Sequence, residues 1–197
     1  TGERCRYLAG VMGALVCLSG GLSVCHPLGF AYLPALTLNP ASNSYWQTAR
    51  DAGSLVPLLR DYDAGMPGFI SHAQTQGAGP VGLFGVADRL SRRCPPLVPI
   101  AETLLALRPG LTPEALARLF GQWWAYPIAS ADVVAAMACG WLPLLLAAVA
   151  VFPVFAFADR VAGRSCAVAA VGVYSLLPSI WLFCGAADQV HPLASAT

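Results

Sequence analysis

The chain has 197 residues, of which 57% are hydrophobic and only 11% are charged, and its net charge is +1. In a soluble domain about a quarter of the residues are charged, so this composition excludes an ordinary water-soluble fold. The eleven basic residues are all arginine and are scattered along the chain, which also argues against a nucleic-acid partner. We therefore expect an all-α, polytopic membrane protein.

The seven cysteines show no Cys-x-x-Cys spacing, and most of them lie within apolar runs. In such surroundings cysteine behaves as a small hydrophobic residue. The sequence thus predicts neither a metal site nor a cofactor, although it does not exclude a divalent ion.

The first apolar run predicts a transmembrane helix from about Tyr7 to Gly29 (residues 7–29). It is longer than the apolar core of a cleaved signal peptide, which has about 7–15 residues. Gly20-Gly21 and His26-Pro27 interrupt the run, so a kinked exit is expected.

The following segment predicts short helices at the outer membrane surface. Between Tyr45 and Tyr62 apolar residues recur at helical spacing, which is typical of an amphipathic interfacial helix, and Pro57 should kink it. The apolar run from Pro80 to Leu90 is too short to cross a bilayer and favours an interfacial or re-entrant helix.

A third short helix is marked by its amino-terminal signals. Thr112 is a suitable N-cap, Pro113 suits the first helical position, and Glu114 favours the positive helix end. The pattern continues to Phe120 and is followed by aromatic residues typical of a membrane-interface belt: Trp123, Trp124 and Tyr126.

Two uncharged runs then predict a membrane hairpin with spans at residues 133–158 and 165–187, joined by a basic hinge. A helix rises about 1.5 Å per residue and the hydrocarbon core is about 30 Å thick, so each run is long enough to cross it. The three spans and the outer helices form one membrane domain over residues 1–197, which we expect to be incomplete. The chain starts without Met and stops where a fourth span would begin, which indicates the amino-terminal part of a longer protein.

Arginines beside the spans fix the expected orientation. Arg4 and Arg6 precede the first span, and Arg160 and Arg164 separate the second and third. The positive-inside rule places both clusters in the cytoplasm. Residues 38–130 and the end of the third span at Asp188 then lie outside a bacterial plasma membrane.

The polar segment Ser71-His72-Ala73-Gln74-Thr75-Gln76-Gly77-Ala78-Gly79-Pro80, the Asp88-Arg89-Leu90 helix end and the hinge Asp159-Arg160-Val161-Ala162-Gly163-Arg164 occur in a recognisable order. This order resembles the GT-C glycosyltransferases, in particular bacterial members of the dolichyl-phosphate-mannose-protein mannosyltransferase and aminoarabinose transferase type. Many relatives carry His-x-Gln-x-His-Pro-Pro-Gly-Pro in the polar segment. This chain matches that pattern at His72, Gln74, Gly79 and Pro80, and it has Gln76-Gly77-Ala78 in place of His-Pro-Pro.

The resemblance implies an enzyme that transfers a sugar from a polyprenyl-phosphate donor to an acceptor on the outer face. Its partners would be membrane lipid, the lipid-linked sugar and further spans of the same protein. Relatives carry a carboxylate base shortly before a Tyr in the first outer loop, and such a base contributes about 10²–10⁴-fold to the rate. Here Asn43 precedes Tyr45, and Asn cannot act as a base.

Candidate site residues follow from these considerations. Asp51 and Asp188 are the candidate catalytic carboxylates, since Asp51 lies two turns beyond Asn43 and Asp188 lies at the outer mouth of a span. The candidate substrate-binding residues are polar groups of the same compartment: His72, Gln74, Gln76 and His191.

Less specific interpretations stay open for each candidate. Asp51 also fits the solvated face of an amphipathic helix, and His72 fits a hydrogen-bonded interfacial histidine. Gln74 and Gln76 suit any polar loop, and Asp188 and His191 suit a plain helix end. Two other functions are compatible with the sequence: a non-catalytic GT-C-like protein that binds lipid or glycan, and a transporter or assembly subunit.

Overall fold

The computed structural model describes residues 2–75 and 77–177, and throughout these ranges the regular elements are helices, which confirms the all-α fold. In chain order the helices are α1 (Gly2–Cys25), α2 (Tyr32–Leu38), α3 (Ser44–Asp51), α4 (Leu55–Arg60), α5 (Tyr62–Gly65), α6 (Ser71–Thr75), α7 (Ala78–Arg92), α8 (Leu97–Leu105), α9 (Pro113–Trp124), α10 (Ser130–Val149), α11 (Val151–Ala162) and α12 (Arg164–Ser175).

The chain divides into two compact units. Unit 1 combines Thr1–Cys25 with Leu142–Thr197, and unit 2 comprises His26–Trp141. Two helical stretches, Gly2–Cys25 and Ser130–Ala162, are long and apolar enough to cross a membrane by length and composition. The described residues thus indicate a membrane protein with two candidate spans.

In unit 1, α1 packs against α11 and α12 around an apolar core. This core contains Leu8, Leu15, Ala148, Ala150, Val151, Phe155, Ala167, Val171 and Tyr174. Arg4 lies 3.7 Å from the Asp159 carboxylate and 4.6 Å from the centre of the Phe155 ring. The amino-terminal end of α1 and the carboxy-terminal end of α11 therefore meet, which places both basic flanks at one end of unit 1.

The helix boundaries in unit 1 differ from the predicted spans. Helix α1 begins at Gly2 and ends at Cys25, because Pro27 cannot continue it. The predicted span 133–158 lies inside the stretch Ser130–Ala162, and Gly163, with φ of 82°, forms the turn into α12. Of the predicted third span, residues 178–187 lie outside the described residues.

In unit 2 the prediction of one interfacial helix from Tyr45 to Tyr62 is wrong. The segment forms α3, α4 and α5, and α3 ends just before Gly53, whose φ is 66°. The predicted lipid-facing residues Tyr45 and Tyr62 are instead only 4% and 3% exposed, because α3 and α5 pack within unit 2. Val56 from the same predicted face is 67% exposed.

The other short helices agree better with the sequence. The predicted helix at Pro80–Leu90 is present as the longer α7, and the Thr112 cap is confirmed, since its hydroxyl accepts a hydrogen bond of 3.2 Å from the Ala115 backbone. Helices α2 and α8 were not predicted. Each contains a proline in its first turn, Pro34 and Pro99, where backbone N–H groups lack helical acceptors and proline is tolerated.

Gly140 lets α10 approach α2 closely. A Cβ at this position would lie 3.1 Å from Leu33 Cβ and 3.2 Å from Thr37 Oγ1. We expect Gly140→Ala to destabilise the protein by about 1–3 kcal/mol because the backbones must separate. The measurement is thermal unfolding in detergent, followed by circular dichroism.

The control for Gly140→Ala is Gly172→Ala in α12, where an added Cβ meets no atom within 4 Å. That change should be neutral or slightly stabilising, because alanine favours helix over glycine by about 1 kcal/mol. Equal unfolding temperatures for the two variants would show that Gly140 is not needed for close packing.

Candidate functional site

The polar contacts of unit 2 converge on helix α3. At its amino-terminal end, the buried Ser44 hydroxyl accepts a hydrogen bond of 2.8 Å from the Ala73 backbone of α6. The Tyr62 hydroxyl donates to the carbonyl of the same residue at 2.7 Å, and burial raises the pKa of Tyr62. The polar segment that includes His72 and Gln74 is thereby held against α3.

Helix α7 is held against α3 by a second buried contact. Trp46 Nε1 donates a hydrogen bond of 3.0 Å to Asp88 Oδ1. Close packing supports it, since a Cβ at Gly85 would lie 3.0 Å from Ala49 Cβ and still closer to Leu55. The Asp-Arg pair at residues 88 and 89 is thus placed along α3, since Arg89 also donates to the carbonyl of Gly53 just beyond its end.

An open cleft of about 470 Å³ lies between α3, α7 and the start of α10. We call it the arginine cleft, and it is lined by Ala49, Arg50, Gly53, Gly85, Asp88, Arg89, Arg92, Ala129 and Asp132. The Asp88 and Asp132 side chains are only 12% and 6% exposed, whereas those of Arg50 and Arg92 are about a third exposed. The cleft therefore combines buried carboxylates with guanidinium groups that reach solvent.

Arg92 joins the two buried carboxylates. Its Nε lies 2.9 Å from Asp88 Oδ2 and its Nη2 lies 2.6 Å from Asp132 Oδ1. The hydrogen bond to Asp88, followed by the one to Asp132, raises the pKa of the Arg92 guanidinium above its ordinary value. The two carboxylates therefore hold the Arg92 guanidinium in its charged form.

Asp132 also caps α10 and contacts a second arginine. Its Oδ2 accepts a hydrogen bond of 2.9 Å from the Ala129 backbone N–H. This is the bond that the N3 side chain of a capping box makes to the N-cap residue. The same oxygen lies 3.5 Å from Arg50 Nη1, and the Arg50 guanidinium stacks 5.3 Å from the Trp46 ring centre. One carboxylate thus links α3, α7 and α10.

Arg89 differs from the other two arginines. It donates to the Gly85 carbonyl at 3.0 Å and to the Gly53 carbonyl at 2.7 Å. Within residues 2–75 and 77–177 it forms no ion pair with a carboxylate. Three guanidinium groups face two carboxylates in the cleft, which leaves an excess of one positive charge.

No protein-family model, curated protein or solved structure matches this chain. The geometry and chemistry of the described residues are therefore the basis for assigning a function to the site.

Among the predicted site residues, Asp51 is the last residue of α3, directly after Arg50. It is exposed, and its side chain forms no hydrogen bond or ion pair in the described part of the chain. Gln74 in α6 is also exposed, and its Nε2 donates to the Pro67 carbonyl at 3.1 Å. No hydrogen bond joins Asp51 to Gln74, although α6, which carries Gln74, contacts α3, which carries Asp51.

The other predicted site residues are described in part or not at all. The backbone of His72 belongs to α6, while its side chain lies outside the described structure. Gln76, Asp188 and His191 also lie outside the described residues. Within the described ranges, no group of three or more His, Cys, Asp or Glu side chains is placed to hold a metal ion.

Asn43, which stands where the resemblance implies an acid, is almost fully buried. It is 2% exposed, it precedes α3 without capping it, and neither its Oδ1 nor its Nδ2 has a hydrogen-bond partner in the described chain. An unpaired buried amide costs about 1–3 kcal/mol. Asn43 is therefore a buried polar residue and not an exposed base.

Sequence reasoning missed the residues that build the cleft, namely Arg50, Arg92 and Asp132. One available signal was the spacing of Asp88 and Arg92, which are four residues apart and hence on one helix face. Another was the position of Asp132, the last charged residue before an uncharged run of 26 residues, in the first turn of α10.

The buried Tyr126 phenol makes the stability of unit 2 depend on alkaline pH. Its hydroxyl donates to the Leu38 carbonyl, and burial raises its pKa from 10.0 to about 12. A raised pKa means that the folded state holds the phenol proton more tightly, so this stabilisation is complete below pH 10 and is lost between pH 10 and 12. We expect Tyr126→Phe to reduce that loss and to cost about 1 kcal/mol at neutral pH.

The measurement for Tyr126 is the unfolding midpoint from neutral pH to pH 12, together with tyrosinate absorbance. Tyr7→Phe is the control, because the Tyr7 hydroxyl is exposed and makes a long hydrogen bond of 3.4 Å. An unchanged alkaline profile in Tyr126→Phe would show that this phenol does not contribute.

Proposed function

We propose that this chain is part of an integral membrane glycosyltransferase that moves a sugar from a polyprenyl-phosphate donor to an acceptor on the outer face. The supporting observation is that two separate segments, the polar stretch of α6 and the Asp88 end of α7, both contact α3. Ser44 contacts Ala73, 29 residues away, and Trp46 contacts Asp88, 42 residues away. Both contacting segments belong to the pattern that resembles the GT-C enzymes, and separate segments must meet to form a site.

Asp51 is the proposed general base. An acceptor hydroxyl loses its proton as its oxygen bonds to the anomeric carbon, and the bond from that carbon to the phosphate oxygen breaks. The phosphate leaves with the bonding electron pair and the proton passes to the base. Asp51 suits this task because it is exposed and unpaired among the described residues, whereas Asp88 and Asp132 are already paired with Arg92.

The other predicted site residues and the topology complete the proposed enzyme. Asp188 would be the second carboxylate, and His72, Gln74, Gln76 and His191 would bind the donor or the acceptor. The topology includes a third span at residues 165–187 in a bacterial plasma membrane, with residues 38–130 outside and further spans of the same protein as packing partners.

Thiol labelling tests this topology. Cys94 in unit 2 and Cys5 before the first apolar run are both free and exposed. In proteins that retain one of these cysteines, we expect a membrane-impermeant reagent to label Cys94 in intact cells and Cys5 only after permeabilisation. Labelling of both in intact cells, or of Cys5 alone, would contradict the orientation and hence the outer site.

The function itself is tested by expressing the complete gene product in membranes and supplying labelled polyprenyl-phosphate sugars with native acceptors. Transfer above the level of membranes that lack the protein is the expected result. Absence of transfer from every donor would count against the enzyme.

Asn43 favours a second candidate, a non-catalytic relative that binds lipid or glycan. Its buried amide occupies the position where the resemblance implies the base. For such a protein, labelled donor would bind and would be retained without transfer. A transporter would instead move the labelled lipid or glycan across sealed vesicles.

A further inference from the structure

We infer that the arginine cleft is a binding site for a phosphate oxyanion. The cleft is open to solvent, and its volume of about 470 Å³ accommodates a phosphate group with the first atoms of its substituent. Its three guanidinium groups come from two helices, with Arg50 on α3 and Arg89 and Arg92 on α7. Arginine binds phosphate well because its planar N–H groups match the geometry of the oxygens.

The arginines of the cleft offset the repulsion between its carboxylates and an entering anion, because Arg92 pairs with both acids and Arg50 also lies near Asp132. Asp88 accepts from Trp46 and from Arg92, one bond on each oxygen. Asp132 accepts from Arg92 on Oδ1 and from the Ala129 backbone on Oδ2. An anion in the cleft therefore meets guanidinium groups that exceed the carboxylates by one charge.

Two arginines have capacity for a new acceptor. Arg89 is held only by the carbonyls of Gly85 and Gly53, and its charge has no carboxylate partner among the described residues. Arg50 is held at longer distances, 3.5 Å to Asp132 and 3.4 Å to the Pro127 carbonyl. Its stacking on Trp46 orients the guanidinium plane without using N–H groups.

A purely structural role is the competing explanation. In that case Arg92 neutralises two buried acids, Arg89 clamps the turn at Gly53, and nothing binds. That role accounts for the pairing of Arg92, but not for the positive excess around an open cleft.

The inference rests on the proposed function and extends it by giving the donor phosphate a place between α3 and α7. It can fail independently, because binding is measured without sugar transfer. Sugar transfer without phosphate binding in the cleft would support the enzyme and rule out this site. Phosphate binding without sugar transfer would support the site and count against the enzyme.

The experiment measures binding to the full-length protein in neutral detergent at constant ionic strength. Inorganic phosphate, followed by ³¹P line broadening and by unfolding temperature, tests the free anion, and sodium chloride is the reference salt. Nanodiscs containing phosphatidic acid, compared with phosphatidylcholine alone, test a lipid phosphate. We expect saturable binding in at least one arm.

Three variants assign that binding to the cleft. Arg89→Gln removes the unpaired charge and should weaken binding at least about tenfold, the loss expected for a charged hydrogen bond. Ala129→Glu adds a carboxylate at an exposed position of the lining without touching an arginine, and should weaken binding similarly. Arg93→Gln removes an exposed arginine next to the cleft and should leave affinity within about twofold, as expected for a solvent-screened charge.

Equal weakening by Arg89→Gln and Arg93→Gln would show a nonspecific charge effect and would overturn the site. The site is also overturned if neither phosphate nor phosphatidic acid binds saturably to the wild type. If Arg89→Gln fails to fold, undiminished binding in the Ala129→Glu variant overturns the site by itself.

Discussion

Asp51→Asn should lower sugar transfer by about 10²–10⁴-fold, the range that a positioned general base contributes. Asparagine is nearly isosteric with aspartate but cannot accept the proton of the acceptor hydroxyl. Since Asp51 is exposed and forms no ion pair among the described residues, the substitution should not disturb the fold. The measurement is the initial rate of transfer from a labelled polyprenyl-phosphate sugar in membranes with equal protein content.

The matched control is Asp61→Asn, which removes another exposed carboxylate of unit 2 between α4 and α5. It should transfer at the wild-type rate, so that a loss in Asp51→Asn is attributed to position and not to charge. Full activity in Asp51→Asn would remove Asp51 as the base. Equal losses in both variants would indicate a general electrostatic effect on the outer region.

Asp132→Ala should destabilise unit 2 by about 3 kcal/mol, the lower part of the range for removing one partner of a buried ion pair. The lower part applies because Arg50 and Arg92, which lose their partner, remain about a third exposed and can recover some hydration. The variant also loses the capping bond to the Ala129 backbone. Thermal or denaturant unfolding in detergent measures the effect.

Asp132→Asn separates the two contributions. It keeps an oxygen that can cap α10 but loses the charge that pairs with Arg92, so its stability should lie between those of wild type and Asp132→Ala. Asp61→Asn again serves as the exposed control and should unfold within about 0.5 kcal/mol of wild type. A loss below about 1 kcal/mol in Asp132→Ala would mean that the link between α3, α7 and α10 is not needed for stability.

Short-range signals predicted part of the fold correctly. The Thr112 cap and the existence of α7 follow from neighbouring residues alone, because capping and helical periodicity act within a few positions. The same approach fails between Tyr45 and Tyr62. There the apolar spacing predicts a lipid-facing surface, but tertiary packing buries Tyr45 and Tyr62 inside protein and exposes Val56.

The sequence singles out Asp51 as a charge next to the first outer segment, and its role as a base stays a prediction. The arginine cleft was not predictable, because its residues are 40 positions apart between Arg92 and Asp132, and 42 apart between Trp46 and Asp88. Each of these side chains has an ordinary explanation as a surface charge or an apolar contact when it is considered alone. Only their contacts with one another in the folded chain distinguish them.

The sequence by itself determined the helical class and the two apolar stretches that are long enough to cross a membrane, because a helix pairs its own backbone groups within an apolar run. Tertiary structure alone decided which charges neutralise each other and where an excess remains. That outcome depends on distances of 2.6 to 3.5 Å around Asp132 between helices remote in sequence, and no local pattern encodes such distances.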